Sequence, residues 1–138
     1  MKHIVLISCV SKKLSYSAKA KDIYISPLFK YNLKYAEKMA PDMIAVLSAK
    51  YGLLSLDQVI DPYEQTLNTM SVSEVKNWSA KVCDQLSVVC SLRDTEFTFL
   101  AGEKYRKYLL PNLSHYIIPF KGLSIGKQLQ NLKLLTAG

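Results

Sequence analysis

Four short, nearly continuous apolar runs punctuate this chain: residues 3–7 (HIVLI), 43–47 (MIAVL), 97–100 (FTFL) and 115–118 (HYII). Runs of this length without alternation fit strands buried on both faces, as in a parallel sheet. Between them the apolar spacing changes to three and four residues, the helical period. Ser26 and Pro27 read as an N-cap and a first helical residue, where the missing N–H of proline costs nothing. From there Leu28, Tyr31, Tyr35 and Met39 predict one apolar stripe, with Phe29, Leu33 and Ala36 beside it and Pro41 closing the helix. Ser71 and Glu74 stand at capping-box spacing, and Val75, Trp78, Val82, Leu86 and Val89 follow at helical intervals. Glu103 to Leu110 predicts a short helix stopped by Pro111, and Ile125, Leu129 and Leu132 stripe a last one capped by Ser124.

Strands alternating with helices form right-handed βαβ units, so the expected class is α/β, a short and mainly parallel sheet under helices. With no repeat, low-complexity tract or linker, residues 1–138 read as a single domain. In such sheets ligands collect beyond the carboxyl ends of the strands, near the switch in strand order. Four segments therefore attract attention: Ser8–Lys13, Ser48–Tyr63, Ala101–Tyr105 and Pro119–Gly126.

Composition narrows the picture. At 138 residues, 49% hydrophobic and 21% charged, the chain has ordinary globular values that argue against extended disorder. No run approaches the roughly 18 apolar residues a membrane span requires. The opening MKHIVLISCVSKK lacks the small-residue cleavage site of a signal peptide and reads instead as the first core strand. Cys9, Cys83 and Cys90 contain no CxxC pair and favour neither a disulfide framework nor a zinc site, so a reducing cytoplasm is expected. Cys83 and Cys90 read as small helix thiols. His3 and His115, isolated in strands, make no case for metal, and no cofactor is expected. Eighteen Lys and Arg against eleven Asp and Glu leave a charge of +7. That excess suits either an anionic partner, nucleotide or nucleic acid, or a plain lysine-rich surface. Lys30, Lys34 and Lys38 on one helix face carry the same two readings.

The chemistry-bearing candidates follow from the segments. Ser8, Cys9, Ser11, Lys12 and Lys13 offer hydroxyls, a thiol and ammonium groups at a strand end, a set suited to an anion. Cys9 has three readings: packing, ligand contact, or a nucleophile whose pKa the neighbouring lysines lower. The segment is no P-loop, for it lacks glycines. In the second segment Ser48 and Gly52 let a ligand approach the backbone, and Lys50 suits a phosphate. Tyr51 and Tyr63 offer aromatic faces or hydroxyls. Asp61 is the carboxylate for a general base or for hydrogen bonding a base edge, although an Asp-Pro-Tyr turn also forms for local reasons. Gly102 and Tyr105 belong to a strand-to-helix turn where Gly102 allows close approach. The two glycines of Pro119–Gly126 are a weak signal that a flexible loop explains equally well.

SCVSKK, DIYISPLFKYNLKYAEKM, LSAKYGLL, DPYEQTL with Trp78, LAGEKYRKYLLPNL and GLSIGKQLQNL together resemble a bacterial and phage domain family of unknown function. The resemblance extends over nearly the whole chain. More distantly, the pattern resembles YaaA-type peroxide-stress proteins and the uracil-DNA-glycosylase-like domain attached to archaeal tRNA-guanine transglycosylases. That likeness implies a three-layer αβα sandwich with a four-stranded sheet in the order 2-1-3-4, and a pocket for a nucleobase or nucleoside. Uracil-DNA glycosylases carry a water-activating Asp or Asn after strand one and a late His-Pro-Ser-type loop. Here those places hold SCVSKK and PFKGLSIG, which speaks against uracil excision itself. The expected activity is N-glycosidic cleavage or base modification, with Lys12 or Lys13 and Lys50 on phosphate, Tyr51 stacking and Asp61 activating water. The alternatives are a non-catalytic nucleic-acid or nucleotide-binding module and an enzyme of small phosphorylated metabolites.

Overall fold

A computed structural model describes residues 1–137. In chain order the elements are β1 (Lys2–Ser8), β2 (Ala18–Lys19), α1 (Ala20–Ile23), α2 (Pro27–Lys38), β3 (Met43–Ser48), β4 (Gly52–Ser55) and β5 (Val59–Ile60). They continue as α3 (Val72–Val89), β6 (Thr95–Leu100), α4 (Glu103–Arg106), β7 (His115–Ile117) and α5 (Ile125–Thr136). The main sheet is five-stranded in the order β4-β3-β1-β6-β7, and only the β3–β4 pair is antiparallel. The four expected strands thus lie in the order 2-1-3-4.

Ile4, Val5, Leu6 and Ile7 of β1 are fully buried, as the unbroken apolar run requires of a central strand. The last strand departs from expectation. His115, Tyr116 and Ile117 are all exposed, because β7 is the edge of the sheet. The fifth strand is a second departure, since the segment read as a ligand loop folds back as a hairpin. Its turn is Ala49–Tyr51, and Gly52 enters β4 at φ +75. β2 and β5 form a separate two-stranded ribbon.

α2 packs on α5, whereas α3 packs on β4 and α4. Right-handed crossovers put the helix after β1 and the helices after β3 and β6 on opposite faces of the sheet. Ser26 caps α2 by accepting from the N–H of Phe29, and Ser71 with Glu74 completes the capping box on α3. In α3 the expected stripe turns inward at Val75, Trp78, Val82 and Leu86, while Val89 is exposed. In α2 the most buried positions are Phe29, Asn32 and Ala36, not the expected stripe. Leu28, Tyr31, Tyr35 and Met39 are half-buried because that side meets α5 and the late loop: Lys133 sits over the Tyr31 ring, and Tyr35 packs on Phe120. Beyond Lys38, Ala40 takes a left-handed φ of 49 just before Pro41, which ends the helix. The helix expected over 103–110 is only four residues of α4, followed by turns and a 3-10 segment at Leu110–Asn112. Among the described residues, no helix is long and apolar enough to cross a membrane.

Candidate functional site

β1 and β6 are neighbours whose following connections leave in opposite directions, toward β3 and toward β7. Loops diverging from two adjacent parallel strands leave a crevice between them. A cavity of about 920 Å³ opens there. Ser8, Cys9, Val10, Ser11 and Lys13 line it from the end of β1, and Leu100 to Tyr105 from the end of β6. Ser26, Pro27, Leu28 and Asn32 of the α2 start, Tyr63–Thr66 and Asn68, and Ile125, Gln128 and Leu129 of α5 complete the wall. A smaller space of about 470 Å³ adjoins it between the β6 and β7 loops, where Arg106 donates to the carbonyl of Ala101 at 2.7 Å.

The site unites distant parts of the chain through specific contacts. Cys9 is buried, and its Sγ lies 3.3 Å from the Tyr105 hydroxyl. The Tyr105 ring stands edge-on to Trp78, centroids 5.6 Å apart. Lys13 Nζ lies 4.4 Å from the centre of the Tyr63 ring, a cation held over a π face, and donates to the carbonyl of Ser11 at 3.3 Å. Burial holds the Lys13 ammonium below the ordinary lysine value, against the nearby Cys9 and Glu64, which favour its charge. Behind the wall, the Ser48 hydroxyl donates to the Tyr63 hydroxyl at 2.8 Å, and Tyr63 meets the Tyr24 hydroxyl at 2.6 Å. Burial pushes the hydroxyls of Tyr24, Tyr63 and Tyr105 above the ordinary tyrosine value. These tyrosines are therefore neutral hydrogen-bonding groups at physiological pH.

Seven of the thirteen sequence candidates line the cavity: Ser8, Cys9, Ser11, Lys13, Tyr63, Gly102 and Tyr105. Lys12, Ser48, Lys50, Tyr51, Gly52 and Asp61 do not. Lys12 and Lys50 are exposed, the latter with its ammonium 5.2 Å from the Tyr51 ring centre. Ser48 is fully buried and acts from behind: it also accepts from the N–H of Tyr51, and its carbonyl accepts from Trp78 Nε1 at 2.8 Å. Tyr51 packs edge-on to Tyr63 from outside the cavity. Gly52 faces Gln85 rather than a ligand, for a Cβ there would come within 2.3 Å of Gln85 Oε1. Asp61 is exposed and accepts from the Ser17 hydroxyl, a bond that fastens the 61–66 segment to the β2 loop.

Sequence reasoning missed Asn32, Glu64 and Gln128. The carboxylates that reach the cavity are Glu64 and Glu103, both on its rim. Glu64 stands three residues past Asp61, in a stretch with no periodicity to assign it a direction. Asn32 is 5% exposed, and its Oδ1 is buried with no hydrogen-bond partner. A polar residue between apolar helix positions was the only available signal. Gln128 donates to the carbonyl of Leu123 at 2.9 Å, which anchors its amide at the start of α5. Among the described residues, no three His, Cys, Asp or Glu side chains gather in a way that would hold a metal ion.

Residues 4–134 match a family of unknown function (DUF6884), and the chain belongs to that family. Neither the curated proteins nor the solved structures contain a match to it.

Proposed function

We propose that this member of the family binds a nucleobase, nucleoside or nucleotide between β1 and β6 and acts on it by N-glycosidic cleavage or base modification. The observation that carries the reading is the cavity itself. Its 920 Å³ lies within the roughly 300–1,000 Å³ of small-molecule pockets, and it sits at the switch point where α/β sheets take ligands. Apolar walls from Val10, Leu28, Leu100, Ile125 and Leu129 suit the faces of a heterocycle, and Lys13 and Lys104 suit a phosphate at the rim. The glycosylase-like resemblance, with its three-layer αβα sandwich, supports the same reading.

The roles follow the geometry. Tyr63 and Tyr105 supply the aromatic surface first expected of Tyr51, and Lys13 supplies the charge first expected of Lys50. If the reaction is hydrolytic, Glu64, the one of the two rim carboxylates whose charge acts on Lys13, activates water or steadies an oxocarbenium ion, and Asp61 is a loop fastener. A base in duplex DNA must first be flipped out, at a cost of about a few kcal/mol.

Trp78 gives the assay an internal reporter, because it is the single tryptophan and touches Tyr105 of the cavity wall. Nucleosides, nucleotides, sugar phosphates, single- and double-stranded DNA and tRNA are titrated against its emission, and released or altered bases are analysed by mass spectrometry. The expected result is saturable binding that Lys13→Ala weakens at least about tenfold for phosphorylated ligands. Turnover should be lost in Glu64→Gln and retained in Asp61→Asn. Binding without any chemical change would favour a non-catalytic module. Response to sugar phosphates alone would refute the nucleobase reading.

A further inference from the structure

Asn32 occupies a position on α2 that stability alone does not account for. Its neighbours along the buried face, Phe29 and Ala36, are fully buried and apolar. Asparagine is a mediocre helix former, and an unpaired buried carbonyl lacks the hydrogen bonds that water would give it. Yet Asn32 is 95% removed from solvent, its Oδ1 has no partner, and the residue lines the 920 Å³ cavity. Leucine, which has the same branched shape in a somewhat larger volume, would bring no unsatisfied polar atom to this place.

We infer that Asn32 is the residue that reads the ligand, pairing its carboxamide with a nucleobase edge that presents a donor and an acceptor side by side. A carboxamide carries one acceptor and two donors in a plane; Asn32 Oδ1 is closed off from solvent in the free protein, so the side chain turns to bring both ends to the ligand. Such a group complements the amino–imine edge of adenine or the lactam edge of guanine or uracil, whereas a phosphate or a sugar hydroxyl needs no such pairing. The lysines act elsewhere. Lys13 and Lys104 reach the cavity from the β1 and β6 loops, so charge and base-edge recognition come from different walls. This inference rests on the nucleobase reading and adds to it the atom pair that selects the ligand.

The test is Asn32→Leu, with Asn131→Leu on the exposed face of α5 as a control for helix propensity. Thermal unfolding of the free proteins comes first. Asn32→Leu should raise Tm by a few degrees, more than the control does, because an unsatisfied group is removed from the interior. A lowered Tm would overturn the inference, since it would make Asn32 a structural hydrogen-bonding residue. Binding comes second, by calorimetry with adenosine, guanosine, uridine, cytidine and ribose 5-phosphate. Asn32→Leu should lose at least about tenfold in affinity for the preferred nucleoside, and ribose 5-phosphate should be unaffected. If the wild type binds nucleosides and Asn32→Leu binds them equally well, the inference fails while the nucleobase reading stands. If the wild type binds no nucleoside, both fall.

Discussion

Replacing Gly52 with alanine separates a structural glycine from a ligand-binding one. Gly52 has φ +75, and an added Cβ would meet Gln85 Oε1 at 2.3 Å. That oxygen accepts from the N–H of Leu53 at 2.8 Å, and the Gln85 amide donates to the carbonyl of Tyr51 at 3.3 Å. A left-handed backbone costs an L-residue about 1–2 kcal/mol. Displacing Gln85 also forfeits two hydrogen bonds, each worth about 0.5–1.5 kcal/mol net. The combined loss is about 2–5 kcal/mol, a Tm lowered by roughly 7–17 °C for a chain of this size. Urea unfolding followed by Trp78 fluorescence measures it. Gln85→Ala removes the clash along with the hydrogen bonds, so the double variant should be less damaged than the sum of the singles. Ligand affinity of folded Gly52→Ala, measured well below its Tm, should equal that of the wild type. A loss under about 1 kcal/mol, strict additivity, or a selective loss of affinity would each refute the assignment of Gly52 to the hairpin.

Two further outcomes are expected. Ser48→Ala breaks the bonds from its hydroxyl to the Tyr63 hydroxyl and from the Tyr51 N–H, and should cost about 1–3 kcal/mol in urea unfolding, because both partners stay buried or half-buried. The pH dependence has two opposing parts. The hydroxyls of Tyr24, Tyr63 and Tyr105 are raised above the unfolded value of 10.0, so their contribution is complete below it and falls as pH rises beyond it. Lys13 is lowered from 10.5, so between its folded value and 10.5 the unfolded chain holds more protons and stability rises with pH. Denaturant midpoints measured across this alkaline range should lose the rise in Lys13→Met and show a weaker fall in Tyr63→Phe.

Elements whose signals are local were legible from residue order. Ser26-Pro27 announced α2, Ser71 with Glu74 announced α3, and the unbroken HIVLI run announced the central strand. β4 was not legible, because GLLS carries the small residues and tight turn that also suit a ligand loop. The antiparallel pairing with β3 and the packing of Gln85 against Gly52 distinguish the two. The exposed β7 escaped for a related reason: an apolar run has the same composition at an edge as at a centre, and strand order decides which it is.

The site divides along the same line. Segments after β1 and β6 could be nominated because parallel strands deliver ligands at their carboxyl ends, and Ser8, Cys9, Ser11, Lys13, Gly102 and Tyr105 do line the cavity. The residue sequence by itself determined where β1, β3, β6, α2, α3 and α5 lie, since hydrophobic period and caps act over a few residues. Tertiary structure alone decided that Asp61 faces Ser17 while Glu64 reaches the cavity, and that Asn32 is buried without a partner. Those directions are set by which loops meet where β1 and β6 diverge, a contact between stretches far apart in the chain that no local pattern encodes.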